Sequence, residues 1–188
     1  KNENIEMSRY DIVQSYMVFC CFPFFLSYFK KRMSFEGNAD NILFGKNPRL
    51  KDEFNRLFNA IFSNPEDCKK IIRLLAKKHV GFTREEIAKE TGLPFGGGLT
   101  DTLNALVESD FIQRYRPYNV SGKVSFYKLI DNFSLFWLKY VEPNTEDINF
   151  MTDNMTSNIM RVWRGVAFEE VCWQHIGQIK RALGISGV

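Results

Sequence analysis

Residues 81–93, Gly-Phe-Thr-Arg-Glu-Glu-Ile-Ala-Lys-Glu-Thr-Gly-Leu, decide how this chain reads. Thr83 followed three residues later by Glu86 is a capping box: the hydroxyl accepts from the Glu86 amide while the carboxylate accepts from the Thr83 amide. A short helix starts there. Gly92 stops it, because glycine takes a left-handed position at a helix end at little cost. Leu93 to Gly98 is a turn, and Leu99, Leu103, Leu106 and Val107 then recur at helical spacing. Phe111 to Tyr118 alternates as a strand, Ser121-Gly122 turns, and Val124 to Ile130 returns. Just upstream, Asn64-Pro65 opens an amphipathic helix with Cys68, Ile71, Ile72 and Leu75 inward and Lys69, Lys70, Arg73, Lys77 and Lys78 outward. Three short helices followed by a hairpin predict a winged helix-turn-helix over residues 67–130.

Both flanks read as helical. Ser8 caps a helix through Tyr10, Val13, Met17 and Val18, and Pro23 suits the first position of a second helix running to Arg32. Asn47-Pro48 repeats the Asn64-Pro65 device and opens a stretch with Leu50, Phe54, Leu57, Phe58, Ile61 and Phe62 on one face. Downstream, Asp131 caps an aromatic helix bearing Phe133, Phe136, Trp137 and Tyr140, which Pro143 ends. A long helical pattern then runs from Ile159 through Trp163, Phe168, Trp173 and Ile176 to Leu183, with Gly165 as the candidate break. The expected fold class is mainly α: a helical lid-like bundle, a winged helix-turn-helix with a two-stranded wing, then C-terminal helices.

The 188 residues, 45% hydrophobic and 25% charged, have the composition of a folded globular chain and not of a disordered one. A net charge of +3 predicts no nucleic-acid binding by itself, but it is unevenly spread: +1 over residues 1–66, +4 over 67–130 and −2 over 131–188. The apolar stretch Tyr16 to Phe29 is interrupted by Pro23 and is shorter than the roughly 20 residues of a membrane span. Cys20, Cys21, Cys68 and Cys172 have neither zinc-site spacing nor disulfide-scaffold density, so reduced thiols and a cytoplasmic protein are expected. The first residue is Lys1, and the C-terminal helical pattern lacks partners for its apolar residues. We therefore expect a piece of a longer protein.

Four stretches together resemble the C-terminal half of the prokaryotic archaeal-type ATPases, a branch of the AAA/STAND P-loop proteins carrying a winged helix and a nuclease-like C-terminal domain. They are Phe22 to Leu26, Leu50 to Phe58, Gly81 to Leu93 with Gly97-Gly98-Leu99, and Trp163 to Val188. The resemblance implies a lid remnant over 1–66, the winged helix over 67–130 and the first helices of a truncated nuclease-like domain over 131–188. It also implies partners outside the chain: an N-terminal P-loop domain that binds ATP and Mg²⁺, and the remainder of the nuclease-like domain.

The chain itself lacks a Walker A loop, since Gly45-Lys46 is followed by Asn47 and Gly122-Lys123 by Val124 where Ser or Thr is needed. No ATP hydrolysis and no cofactor are expected of this chain alone. By resemblance Pro23 is the lid residue that lies against adenine, although Cys20-Cys21 stand where the family has two glycines. Glu169 matches the helix glutamate of the nuclease motif, with Glu170 beside it expected to be exposed. One carboxylate does not hold Mg²⁺ against its hydration, so no metal site is expected here. His79 and His175 read as isolated.

DNA reading is the remaining question. Recognition helices carry Arg, Lys, Asn or Gln toward base edges, yet no basic residue lies between Lys89 and Arg114, where Glu90, Asp101, Glu108 and Asp110 stand instead. The wing carries the cations Arg114, Arg116, Lys123 and Lys128. The preferred reading is a non-catalytic ATPase fragment with the winged helix as a regulatory or packing module. The alternatives are a winged-helix protein that contacts DNA through the wing, and part of a metal-dependent nuclease. Self-association through residues 159–185 is expected from the apolar spread around that helix.

Overall fold

A computed structural model describes residues 7–20, 22–117, 124–185 and 187. The fold is mainly helical with one small sheet, and the chain divides into two compact units. One comprises residues 50–143; the other is discontinuous, joining the segment up to residue 49 with the segment from 144 onward. The sequential blocks 1–66, 67–130 and 131–188 divide the chain differently, since the boundaries at 66 and 130 both fall inside the 50–143 unit.

The 50–143 unit is the winged helix-turn-helix with helices added at each end: α4 (Glu53–Ile61), α5 (Pro65–Leu75), β1 (Phe82–Thr83), α6 (Arg84–Thr91), α7 (Gly97–Glu108), β2 (Ile112–Tyr115), β3 (Phe126–Leu129) and α8 (Asn132–Phe136). A π-helical turn, Trp137–Val141, continues α8. The capping box forms as read: Thr83 Oγ1 accepts from the Glu86 amide at 3.2 Å and Glu86 Oε2 accepts from the Thr83 amide at 2.7 Å. Gly92 ends α6 at φ +71°, and Asp131 caps α8 by accepting from the Ser134 amide at 2.7 Å.

The sheet has three strands where the sequence suggested two. Its order is β1-β3-β2, antiparallel throughout, with Phe82 opposite Tyr127 and Ile112 opposite Leu129. Two residues are too few to show alternation, which is why β1 was invisible. Gly81 leads into it at φ +76°, and a Cβ there would lie 2.0 Å from the Tyr127 carbonyl oxygen. Only glycine allows that approach.

Helix α4 belongs here because its aromatic face is buried against the winged helix. Phe58 is fully buried, its ring centroid 4.8 Å from Phe54, 5.5 Å from Phe62 and 4.9 Å from Phe111. The helix starts at Glu53 and not at Pro48. Leu50 is buried first in a turn, and the Glu53 amide donates to its carbonyl at 3.1 Å. Asn64 also departs from the expected cap: its amide side chain donates to Asp67 Oδ2 at 2.6 Å.

The discontinuous unit holds α1 (Arg9–Phe19), α2 (Pro23–Leu26) and α3 (Phe35–Ala39), which runs on into a π-helical turn, Asp40–Phe44. Its C-terminal segment supplies α9 (Phe150–Asn154), α10 (Asn158–Gln174) and α11 (Ile176–Ala182). Ser8 forms a capping box with Asp11. Phe19, Phe35, Phe44, Met151, Trp163 and Ala167 are among its buried core residues, and Phe44 stacks on Phe150 at 4.8 Å.

Two expectations are corrected here. The helix begun by Pro23 ends at Leu26 instead of Arg32, because the chain tightens into three-residue turns and Asn38 then takes both backbone groups of Lys30. The long C-terminal helix runs straight through Gly165 and breaks at His175. Among the described residues no helix is long and apolar enough to cross a membrane.

Candidate functional site

The helix-turn-helix presents α7 with an uncharged start. Gly96, Gly97 and Gly98 are exposed, and a Cβ on any of them would meet nothing within 4 Å. The turn before them is fixed by Arg84, whose guanidinium carbon sits 4.0 Å from the Phe95 ring centroid while Nη2 donates to the Gly96 carbonyl at 2.8 Å. Helix α7 buries Leu99, Leu103 and Leu106, and its exposed side chains include Asp101, Asn104 and Glu108. A groove of about 400 Å³ beside it is lined by Asp101 and Glu108 as well as Asn64 and Cys68. Burial pushes the Cys68 thiol up to about 11, helped by the neighbouring Asp67 charge, so this thiol is a poor nucleophile at neutral pH.

Two of the wing cations, Arg114 and Lys128, lie on opposite faces of the sheet. Residues directly opposite each other in an antiparallel pair share a face. Arg114 stands opposite Tyr127, on the face of Phe82, whereas Lys128 stands opposite Gln113 on the other. Arg116 lies two residues beyond Arg114 and is exposed. Lys123 and the Ser121-Gly122 turn lie outside the described residues.

The residues carried over by resemblance are both exposed. Pro23 does start a helix, but one of four residues, and it is exposed between exposed Phe22 and Phe24. Glu169 is exposed on α10, whereas Glu170 is buried, the reverse of the expectation for Glu170. The register of α10 decides this: Met160, Trp163, Ala167 and Glu170 form the inward stripe, and Glu169 falls off it. Among the described residues no three His, Cys, Asp or Glu side chains come together to hold a metal ion.

Trp163 turns inward at 1% exposure, while Phe168 at 51% and Trp173 at 58% stay exposed with Ile176 and Leu183. His175 is not isolated: its Nε2 lies 3.0 Å from the Tyr16 hydroxyl, which also donates to Gln174 Oε1 at 3.3 Å. This contact fastens α1 to the break between α10 and α11.

Two features had no readable sequence signal. Buried Asp40 accepts from the Met151 amide at 2.7 Å, the Thr152 amide at 3.0 Å and the Thr152 hydroxyl at 2.6 Å, capping α9 from a position 111 residues away. Burial raises its carboxyl above the usual aspartate range, against the lowering effect of those donors. Nearby, a groove of about 430 Å³ is lined by Tyr28, Lys30, Asn41, Asn47 and Arg49. A second, of about 460 Å³, shares Asn41 and Asn47 and adds Lys46. Lys30, Lys31 and Arg32 are adjacent in the sequence, but Lys46 and Arg49 join them only through the fold.

No family model and no solved structure matches the chain. It is similar to an uncharacterized protein of Methanocaldococcus jannaschii, with 26% identity over 164 residues covering 85% of this chain and 36% of the relative. The chain thus spans about a third of the length of the curated relative it matches.

Proposed function

We propose that this chain is a non-catalytic portion of an AAA/STAND-type ATPase, its winged helix acting as a regulatory or packing module and not as a reader of DNA sequence. One observation carries the second half of that reading. The charged side chains exposed on α7 are Asp101 and Glu108, and a helix so charged meets repulsion from duplex phosphates spaced about 1.7 Å per charge along the axis. The division of Arg114 and Lys128 between opposite sheet faces supports it further. The ATPase half rests on the resemblance of the four stretches quoted above, with ATP and Mg²⁺ bound by a P-loop module outside this chain. The thiols of Cys68 and Cys172 support a reducing, cytoplasmic setting.

Wing-led DNA contact is the second reading, favoured by exposed Arg114 and Arg116. A gel-shift series with a random-sequence duplex separates the two. The full chain is expected to give no sequence-selective complex, and Asp101→Lys to strengthen whatever weak shift exists. If a salt-sensitive shift appears, Arg114→Glu with Arg116→Glu should remove it. Tight, sequence-selective binding by the unaltered chain would overturn the module reading.

A further inference from the structure

Lys30, Lys31, Arg32, Lys46 and Arg49 are all exposed, and none makes an ion pair among the described residues. Elsewhere Arg56, Lys69, Lys70 and Arg73 each meet a carboxylate within 3.4 Å, while others such as Lys77, Lys78 and Arg114 are exposed like these five. Five unmatched positive charges in one unit repel one another and raise the local potential, a cost that an anionic ligand relieves.

The loop that carries three of them is held in place. Asn38 is buried, and its side chain accepts from the Lys30 amide at 2.7 Å and donates to the carbonyls of Lys30, Met33 and Ser34 at 3.1–3.2 Å. These bonds fix the 30–34 loop with Arg32 in the left-handed region at φ +61°. A ligand meeting such a loop pays little to order it. Lys30 and Arg49 line the first groove and Lys46 the second, and the two share Asn41 and Asn47 in their walls. Asp40 borders the second groove, but its carboxylate oxygens accept from α9.

Aromatic rings lie at the same place. The Arg49 guanidinium carbon is 5.9 Å from the Tyr28 ring centroid, and Phe24, half exposed, packs edge-on to Tyr28 at 5.1 Å. Cations along a groove with aromatic faces among them suit a single strand, whose phosphates take the charges and whose unpaired bases stack. A duplex hides those base faces. A membrane surface would require a longer amphipathic helix than the four residues of α2.

We infer that this basic, aromatic groove of the discontinuous unit binds single-stranded nucleic acid, with phosphates on Lys30, Lys46 and Arg49 and a base against Phe24 and Tyr28.

Fluorescence anisotropy of the full chain with labelled oligothymidylate, across a salt series, tests this. The parent is expected to bind at low salt. Lys46→Ser with Arg49→Ser should lower the slope of log affinity against log salt by about 1.4, at about 0.7 per lost phosphate contact. Phe24→Ala should weaken binding roughly tenfold with the slope unchanged. Lys31→Ser changes an exposed side chain of the fixed loop and serves as a second charge variant, with circular dichroism confirming that each variant folds. Arg114→Glu with Arg116→Glu should leave binding intact. The inference is overturned if the oligonucleotide does not bind, or if the groove variants bind like the parent. Loss with the wing variant instead, or binding of phosphatidylserine vesicles and not of the oligonucleotide, overturns it equally.

Discussion

The two units differ in how their polar side chains are engaged. In the 50–143 unit, Arg73 forms a two-pronged pair with Glu142, at 2.5 and 2.7 Å, while its guanidinium lies 5.4 Å from the Phe54 ring centroid. Lys69 and Lys70 pair one turn back along their own helix with Glu66 and Asp67. In the discontinuous unit, five exposed cations stay unmatched while polar groups are used inside, Asn38 fixing a loop and Asp40 capping a helix drawn from the far end of the chain. Charge matched along a helix supports structure. Charge left unmatched on a loop fixed from beneath keeps a surface available to a ligand.

The stability of each unit should therefore fail differently. The largest expected effect is in the 50–143 unit, where Phe58→Ala empties the centre of the Phe54, Phe62 and Phe111 cluster and costs about 3–5 kcal/mol. Hydrogen exchange should show protection lost first in α4, α5 and α7; a loss confined to α1 and α10 would break the division into units.

Asp40→Ala comes next. It leaves the Met151 amide and both Thr152 donors without their acceptor, for a cost of about 2–3 kcal/mol, read as lost protection in α9 with α6 and α7 spared. Asp40→Asn keeps one acceptor and should cost less. It should also remove a pH dependence whose sign follows from the raised carboxyl. The folded state holds that proton more tightly than the unfolded state, so the contribution of Asp40 to stability falls as pH rises from the ordinary aspartate value through the raised one.

The smallest effect has the opposite sign. The hydrogen bond to Arg73 holds the Glu142 carboxyl below the usual glutamate range. Its contribution is present above the ordinary glutamate value and disappears as pH falls through the lowered folded value. Both partners are more than a third exposed, so solvent screening limits the pair to about 0.5 kcal/mol. Denaturant midpoints of Glu142→Gln and the parent should converge as the medium becomes acid; a constant gap down to strongly acid pH would show that the pair carries no charge-dependent stability.

How much of this was legible depends on how far each signal reaches along the chain. The Thr83 capping box, the Ser8 cap, the Gly92 stop and the Asp131 cap are complete within five residues, so sequence spacing alone specifies them. The three helices and hairpin of the winged helix follow from them. The Asn47-Pro48 device was read by the same rule and failed, because burying Leu50 in a turn took precedence over starting the helix at once. The candidate site was less legible. Pro23 and Glu169 came from resemblance and the wing cations from a local run, and within the sheet Arg114 and Lys128 fall on opposite faces.

What the sequence determined by itself, then, is the set of local elements, the acidic character of α7, and the absence of a phosphate-cradling loop from this chain. Those depend on neighbours within a helical turn or a hairpin, where backbone hydrogen bonding is settled. The tertiary structure alone decided that Glu170 and not Glu169 turns inward, that Asp40 caps α9, and that Arg49 joins Lys30 beside Tyr28. Each depends on the register of one element against another distant in sequence. That register is set by packing the whole apolar core, which no local window of the chain contains.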